Sequence, residues 1–221
     1  AGGQGLQTRD GARPTIAGTV TGSVTDQVNG AGSGTTALTG GVITGGATLD
    51  GQFSNTGTSS IGQDLSLLDD AVATVGGQLT VAGDGAGSDV GVAGALTITG
   101  GGRLIGDTGV ATGGAVSVLA TGTLQGAANV ASGGDLTVAS GGSVTGPVDL
   151  ASGATGDLNG TVTGSLTNGG TLDLRGTVTG ALLTEAGGDT QVDGALLTGS
   201  TVVKSGAMVE QDAATLALSG G

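Results

Sequence analysis

The side chains able to do chemistry in this chain are few and scattered. Of 221 residues, five are basic and eighteen acidic, and histidine and cysteine are absent. A general acid or base working near neutral pH would have to be a carboxylate, since no imidazole is available. The one acidic doublet is Asp69-Asp70. Read as part of a strand, its two side chains point to opposite faces, which makes a poor two-carboxylate site. Arg103, Arg175 and Lys204 stand isolated in the sequence. Asp149 and Asp173 each sit between two apolar residues and read as outward, solvated charges. No catalytic cluster assembles from this pattern, so the chain reads as non-enzymatic.

Two ligand chemistries call for a check. The stretch Asp84-Gly85-Ala86-Gly87-Ser88-Asp89-Val90-Gly91 comes nearest to the calcium nonapeptide G-G-x-G-x-D-x-U-x. It lacks the first glycine and the apolar eighth position, and it occurs once. The expectation is therefore no cofactor, with weak surface calcium at loop aspartates as the most a metal would do. The second chemistry is a double threonine ladder that binds ice. Thr19/Thr21, Thr97/Thr99, Thr161/Thr163 and Thr177/Thr179 have the dipeptide spacing. In steps of twenty only one hydroxyl column survives, Thr97, Ser117 and Thr137. Thr99 is followed by Leu119 and Ala139, and Thr161 and Thr177 are sixteen apart, so the register argues against a double ladder.

The step of twenty is the organising feature. Leu96, Val116 and Leu136 align on it, as do Ile98, Val118 and Val138, then Leu104, Leu124 and Val144, then Val110, Val130 and Leu150. Glycine keeps the same step at Gly94, Gly114 and Gly134, at Gly102, Gly122 and Gly142, and at Gly106, Gly126 and Gly146. Within a copy the apolar residues come in short alternating bursts, as in Leu136-Thr137-Val138, separated by turn signals such as Gly141-Gly142 and Gly146-Pro147. A helical repeat needs longer runs and fewer glycines, and a propeller blade needs more residues. The pattern predicts an all-β, three-faced parallel β-solenoid with about 20 residues per coil and about ten coils. The twelve apolar residues above are its expected core.

Composition agrees. There are 52 glycines, a single phenylalanine, and no tryptophan or tyrosine. A narrow tube is filled by stacked valine and leucine, and glycine serves at corners where φ is positive. The net charge of −13 excludes a nucleic-acid partner and disfavours anionic membranes. No apolar run is long enough to span a membrane as a helix. Ala1-Gly2-Gly3-Gln4 does not begin a signal peptide, so the leader is expected to have been removed or the chain to be a fragment.

Along the chain, residues 1–15 read as an N-terminal arm or an irregular first coil, and residues 16–221 as one solenoid domain. Gly18-Thr19-Val20-Thr21-Gly22-Ser23-Val24-Thr25 returns as Gly160-Thr161-Val162-Thr163-Gly164-Ser165-Leu166-Thr167, seven coils later. Leu38, Val42, Ile43 and Leu49 are the next expected core positions. Phasing loosens between Gln52 and Val75, where distorted strands are expected, with one short helix over Asp64 to Val72 as the alternative. Gly77-Gln78-Leu79-Thr80-Val81 matches Gly94-Ala95-Leu96-Thr97-Ile98 at a step of seventeen, which predicts a short coil. Leu136, Val144 and Leu150 match Leu158, Leu166 and Leu172 at a step of 22, which predicts a two-residue insertion near Ser152 to Thr155. The strands holding Ile16 and Val20 at one end, and Leu216 and Leu218 at the other, read as uncapped association ends.

At Gly133-Gly134-Asp135-Leu136-Thr137-Val138-Ala139-Ser140-Gly141-Gly142-Ser143-Val144-Thr145-Gly146 the sequence resembles the passenger repeats of bacterial autotransporters, those of the self-associating adhesins above all. The resemblance covers roughly residues 77 to 205. It implies a right-handed parallel β-helix on the surface of a Gram-negative bacterium, exported through an outer-membrane barrel. The sequence has no terminal series of barrel strands, which leaves a passenger piece or another export route. The functional expectation is an extracellular structural or adhesive solenoid whose partner is a second copy or a host or neighbouring cell surface. The alternative is a filament subunit that stacks end to end.

Overall fold

The computed structural model describes residues 5–9, 11–27, 34–205, 208–212 and 215–216. Among them there is no helix. Thirty-three short strands form three parallel sheets of eleven strands each, and every third strand joins the same sheet. The described residues thus form a three-faced β-solenoid of eleven coils. At about 4.8 Å per coil the stack is roughly 50 Å long. Face 1 runs from Leu6–Arg9 to Thr201–Val203, face 2 from Thr15–Ile16 to Met208–Asp212, and face 3 from Thr19–Val20 to Thr215–Leu216. Coil 6, for example, is Thr108–Val110, Ala115–Val118 and Thr123–Gln125.

The alternation seen in sequence is the alternation of burial. Ala115–Val118 and Asp135–Val138 each turn two residues inward and two outward. The twelve expected core residues are all buried, with at most 2% of their surface exposed. They stack in register: Leu96 on Val116 on Leu136, Ile98 on Val118 on Val138, Leu104 on Leu124 on Val144, and Val110 on Val130 on Leu150. Each such side chain contributes about 1.5–3 kcal/mol on leaving water. Leu38, Ile43 and Leu49 are core as well, but Val42 is 39% exposed. It pairs with Thr19 and Ser60 on the outer surface of face 3, because neighbouring residues of a strand alternate sides.

Size is balanced along each column. Phe53 lies between Thr36 and Ala73, two smaller residues that leave room for its ring. Gly156 lies between Leu136 and Leu172, and the Leu150 side chain occupies the space its Cβ would take. At the corner between faces 3 and 1, Gly106, Gly126, Gly146, Gly164, Gly180 and Gly199 form a continuous column. A Cβ on any of the last five would strike the backbone of the glycine one coil below. At another corner Gly101 and Gly141 have φ of 80° and 83°, and between them Thr121 adopts φ 64°. That conformation costs a non-glycine residue about 1–2 kcal/mol.

Three phase expectations need correction. Gln52–Thr56, Thr58–Ile61, Leu65–Leu67 and Val72–Val75 are regular strands in ordinary parallel register. Gln78–Val81 belongs to face 3 and pairs with Arg103–Ile105, whereas Ala95–Ile98 belongs to face 2 and pairs with Val72–Val75. The step of seventeen therefore compares two different faces, and the coil there is long, with an excursion at Ala82–Asp89. Likewise Leu136 is followed by Gly156 and Leu172, and Val144 by Val162 and Val178, so the chain shortens its coils here. The physical reason is shared: every face uses the same apolar-x-apolar strand, so matching one strand to another does not say which face it occupies. The octapeptide match is between equivalent places, since Thr19–Val20 and Thr161–Val162 are both face 3 strands, seven coils apart.

Candidate functional site

Stacking brings together charges that are distant in sequence. Arg175 is not isolated: its guanidinium lies 2.6 Å from Asp173, 3.5 Å from Asp193 and 3.8 Å from Asp157. These residues occupy adjacent outward positions of face 2, where coils of 16 and 18 residues place them side by side. Lys204 pairs with Glu185 at 2.5 Å, one coil below, and Arg103 hydrogen-bonds Gln125. With side chains 31–47% exposed, each contact of the Arg175 group is worth about 0–1 kcal/mol. A guanidinium surrounded by carboxylates holds charge and donates hydrogen bonds, but it does not exchange protons.

Asp69 and Asp70 are both exposed in a turn between Leu65–Leu67 and Val72–Val75, and they lie outside any strand. Strand alternation therefore does not govern them. Asp149 faces outward from Val148–Leu150, and Asp173 is on the outer side of face 2. In the excursion after Val81, carboxylates accept backbone N–H groups. Asp84 N–H donates to Asp64 Oδ1 at 3.1 Å, Ala86 N–H to Asp84 Oδ1 at 2.9 Å, and Asp107 N–H to Asp89 Oδ2 at 2.9 Å. The stretch that resembles a calcium loop thus closes a corner with its aspartates. Among the described residues no group of three acidic side chains is placed to hold a metal.

A trough of about 580 Å³ lies on face 1, crossing coils 4 to 8. Its floor follows Ser66, Gly91, Gly109 and Asn129, and one wall follows Leu68, Ala93, Ala111, Ala131 and Ala151. The trough exists because two successive outward positions are glycine, in Val90-Gly91-Val92 and Thr108-Gly109-Val110, which pair directly. A Cβ at Gly91 would meet open space. Leu68 is 40% exposed on its rim, and Asp149 closes one end. Sequence reasoning missed this surface; the signal was a glycine at the outward centre of two consecutive strands.

Face 3 holds a second ordered surface. Thr123, Ser143, Thr161 and Thr177 stack as one outward column. Thr145, Thr163, Thr179 and Thr198 form another beside it, their N–H groups bonding to Leu124, Val144, Val162 and Val178 one coil below at 2.8–3.0 Å. Thr161 and Thr177 are register partners, so the expectation that no double ladder forms is overturned. The coil is sixteen residues there, and the fixed step of twenty concealed the pairing.

Of the expected association ends, Ile16 is buried at 5% exposure and Val20 is half-buried. Among the described residues their strands pair with Thr35–Thr39 and Val42–Ile43. Leu216 pairs with Leu197 in the last described strand, and Leu218 lies outside the described residues. Of residues 1–15, Leu6–Arg9 is the first strand of face 1 and lies in register on Val24–Gln27.

No protein-family pattern matches the chain, and no curated protein does. One solved structure similar to it is a hyper-glycosylated fragment of TibA, modified by TibC. The two share 22% identity over 96% of this chain and 97% of the other, with a TM-score of 0.27. At that score the backbones do not superpose well, and the likeness carries no argument about function.

Proposed function

We propose that the protein is a non-enzymatic, extracellular β-solenoid of a Gram-negative cell surface, acting in adhesion or self-association through the face 1 trough. The reading is carried by one observation: an open, apolar-lined groove crosses five coils of a rigid, strongly acidic rod. A concave, apolar-lined groove of this kind offers a seat for a ligand or a partner's side chain. The passenger-like repeat at Gly133 to Gly146 supports it.

Beads coated with the purified chain test the reading. Clustering of beads measures self-association, and capture on a cell layer measures adhesion. Salt separates the two. Clustering of rods carrying a charge of −13 strengthens as their repulsion is screened, whereas capture by a basic partner weakens. Gly91→Lys fills the trough without a clash and should lose the activity that the wild type shows. Equal activity in the variant would remove the trough from the reading, and inert wild-type beads would end it.

A second reading is end-to-end filaments, since an open parallel strand edge can pair with another. Micrographs of purified protein showing uniform fibres, shortened by Leu216→Lys, would support it over the first.

A further inference from the structure

We infer that the double hydroxyl ladder of face 3 is a binding surface for a lattice of ordered water, an ice face. Three complete rows, Ser143/Thr145, Thr161/Thr163 and Thr177/Thr179, lie directly above one another, with Thr123 and Thr198 extending one column each. Between the columns Val144, Val162 and Val178 turn inward and are buried, which pins every hydroxyl row outward. Parallel β geometry sets the rows about 4.8 Å apart, and the second column stands just past the strand ends, one residue beyond Val144, Val162 and Val178. The row spacing is close to an oxygen repeat on a prism face of hexagonal ice.

Three further observations select this ligand. The array is stiff, because β-branched threonine has few rotamers and the backbone ladder is continuous beneath it. It is available: Thr163 and Thr179 are exposed and Thr161 and Thr177 half-buried. Among the described residues none of these four hydroxyls has a hydrogen bond from a side chain, although Thr123 and Ser143 bond each other at 3.2 Å. The array is also uncharged. Arg103 stands beyond Thr123 at one margin and Leu196 beyond Thr177 at the other. A crystalline polysaccharide offers a flat hydroxyl lattice too, but sugar rings are met by exposed aromatic side chains. The chain has no tryptophan or tyrosine, and its one phenylalanine is buried. Face 2 lacks the doubling. Its column Thr74, Thr97, Ser117 and Thr137 runs beside Val72, Ala95, Ala115 and Asp135.

The test is uptake into slowly grown ice. Protein concentration is measured in the ice and in the residual liquid for wild type, Thr163→Lys in the centre of the array, and Thr97→Lys on face 2. Wild type and Thr97→Lys should be enriched in ice several-fold over Thr163→Lys, with the strand circular dichroism of all three alike. Should Thr163→Lys not fold, the near-isosteric Thr179→Val serves instead, and its uptake should fall. Exclusion of wild type from ice overturns the inference, as does uptake unchanged by loss of the array. Binding to microcrystalline cellulose or chitin that Thr163→Lys abolishes, without ice uptake, overturns it too and assigns the ladder to a polysaccharide.

Discussion

Two buried polar clusters occupy the same corner of the tube, between faces 1 and 2. One lies in coils 1 and 2 and the other in coils 9 and 10. Thr8, Asp26 and Thr36 fill three slots at the first, and Asn168, Thr184 and Thr190 fill the equivalent three at the second. In the second cluster the Asn168 amide donates to Thr190 Oγ1 at 2.8 Å and to the Asp189 carbonyl at 2.7 Å. Its oxygen accepts the Gly170 N–H at 2.9 Å, and the hydroxyls of Thr184 and Thr190 lie 3.0 Å apart. In the first, Thr8 donates to Asp26 Oδ1 at 2.8 Å, and then the bonding stops. Among the described residues, Asp26 Oδ2 and Thr36 Oγ1 are buried with no partner. The difference is chemical. An amide both donates and accepts, whereas an ionised carboxylate only accepts. Between the clusters the same slots hold Leu67, Val92, Val110 and Val130 on face 1 and Leu96, Val116 and Leu136 on face 2. These slots are therefore apolar through the middle coils and polar toward both ends, although Thr108 is buried elsewhere in coil 6, and of the two clusters only the second is balanced.

The largest expected effect sharpens the contrast between middle and ends. Val118→Asp places a carboxylate where no hydroxyl or amide faces it, and should cost at least about 3 kcal/mol in denaturant unfolding. Thr137→Asp, which points outward, should stay within roughly 0.5 kcal/mol of wild type. Its register neighbour Asp157 makes the sign a small loss. Equal losses in the two variants would reverse the inward and outward assignment of these strands.

Next in size is Asn168→Ala, which strips the balanced cluster of its bridging amide. The Gly170 N–H loses its partner and Thr190 Oγ1 keeps only Thr184, at an expected cost of about 2 kcal/mol in the same assay. A cost near zero would mean that water replaces the amide and that the two clusters are closer in kind than their bonding indicates. The smallest effect runs the other way. Asp26→Asn keeps the acceptor for Thr8 and adds a donor, so it should raise stability by about 1 kcal/mol. A loss instead would show that the carboxylate is already satisfied by a bound cation that an amide cannot hold.

Much of this architecture was legible in the sequence. From Gly94 to Gly153 the coils are twenty residues long, so stacked positions coincide with sequence columns and the core is read directly. Where coils lengthen to take in Ala82–Asp89, or shorten at Thr161 and Thr177, the columns shear and a fixed step compares the wrong faces. The ion pairs of Arg175 and Lys204 and the double ladder of face 3 lie in those sheared coils, and so were misread. The trough failed for another reason. It is made by absent side chains at Gly91 and Gly109, and glycine in this chain had already been explained as a corner residue.

The sequence by itself determined the class of fold, the three-strand coil and the inward residues, because alternation and glycine spacing are local properties of each strand. Only the tertiary structure decided which coil lies on which, since register between coils depends on how many residues each corner consumes. That register places Asp157, Asp173 and Asp193 around Arg175 and lays Thr161 against Thr177. It also sets a satisfied amide at one end of the core and an unsatisfied carboxylate at the other. In a solenoid the surface chemistry is written across the chain, one residue per coil, so it exists only once the coils are stacked.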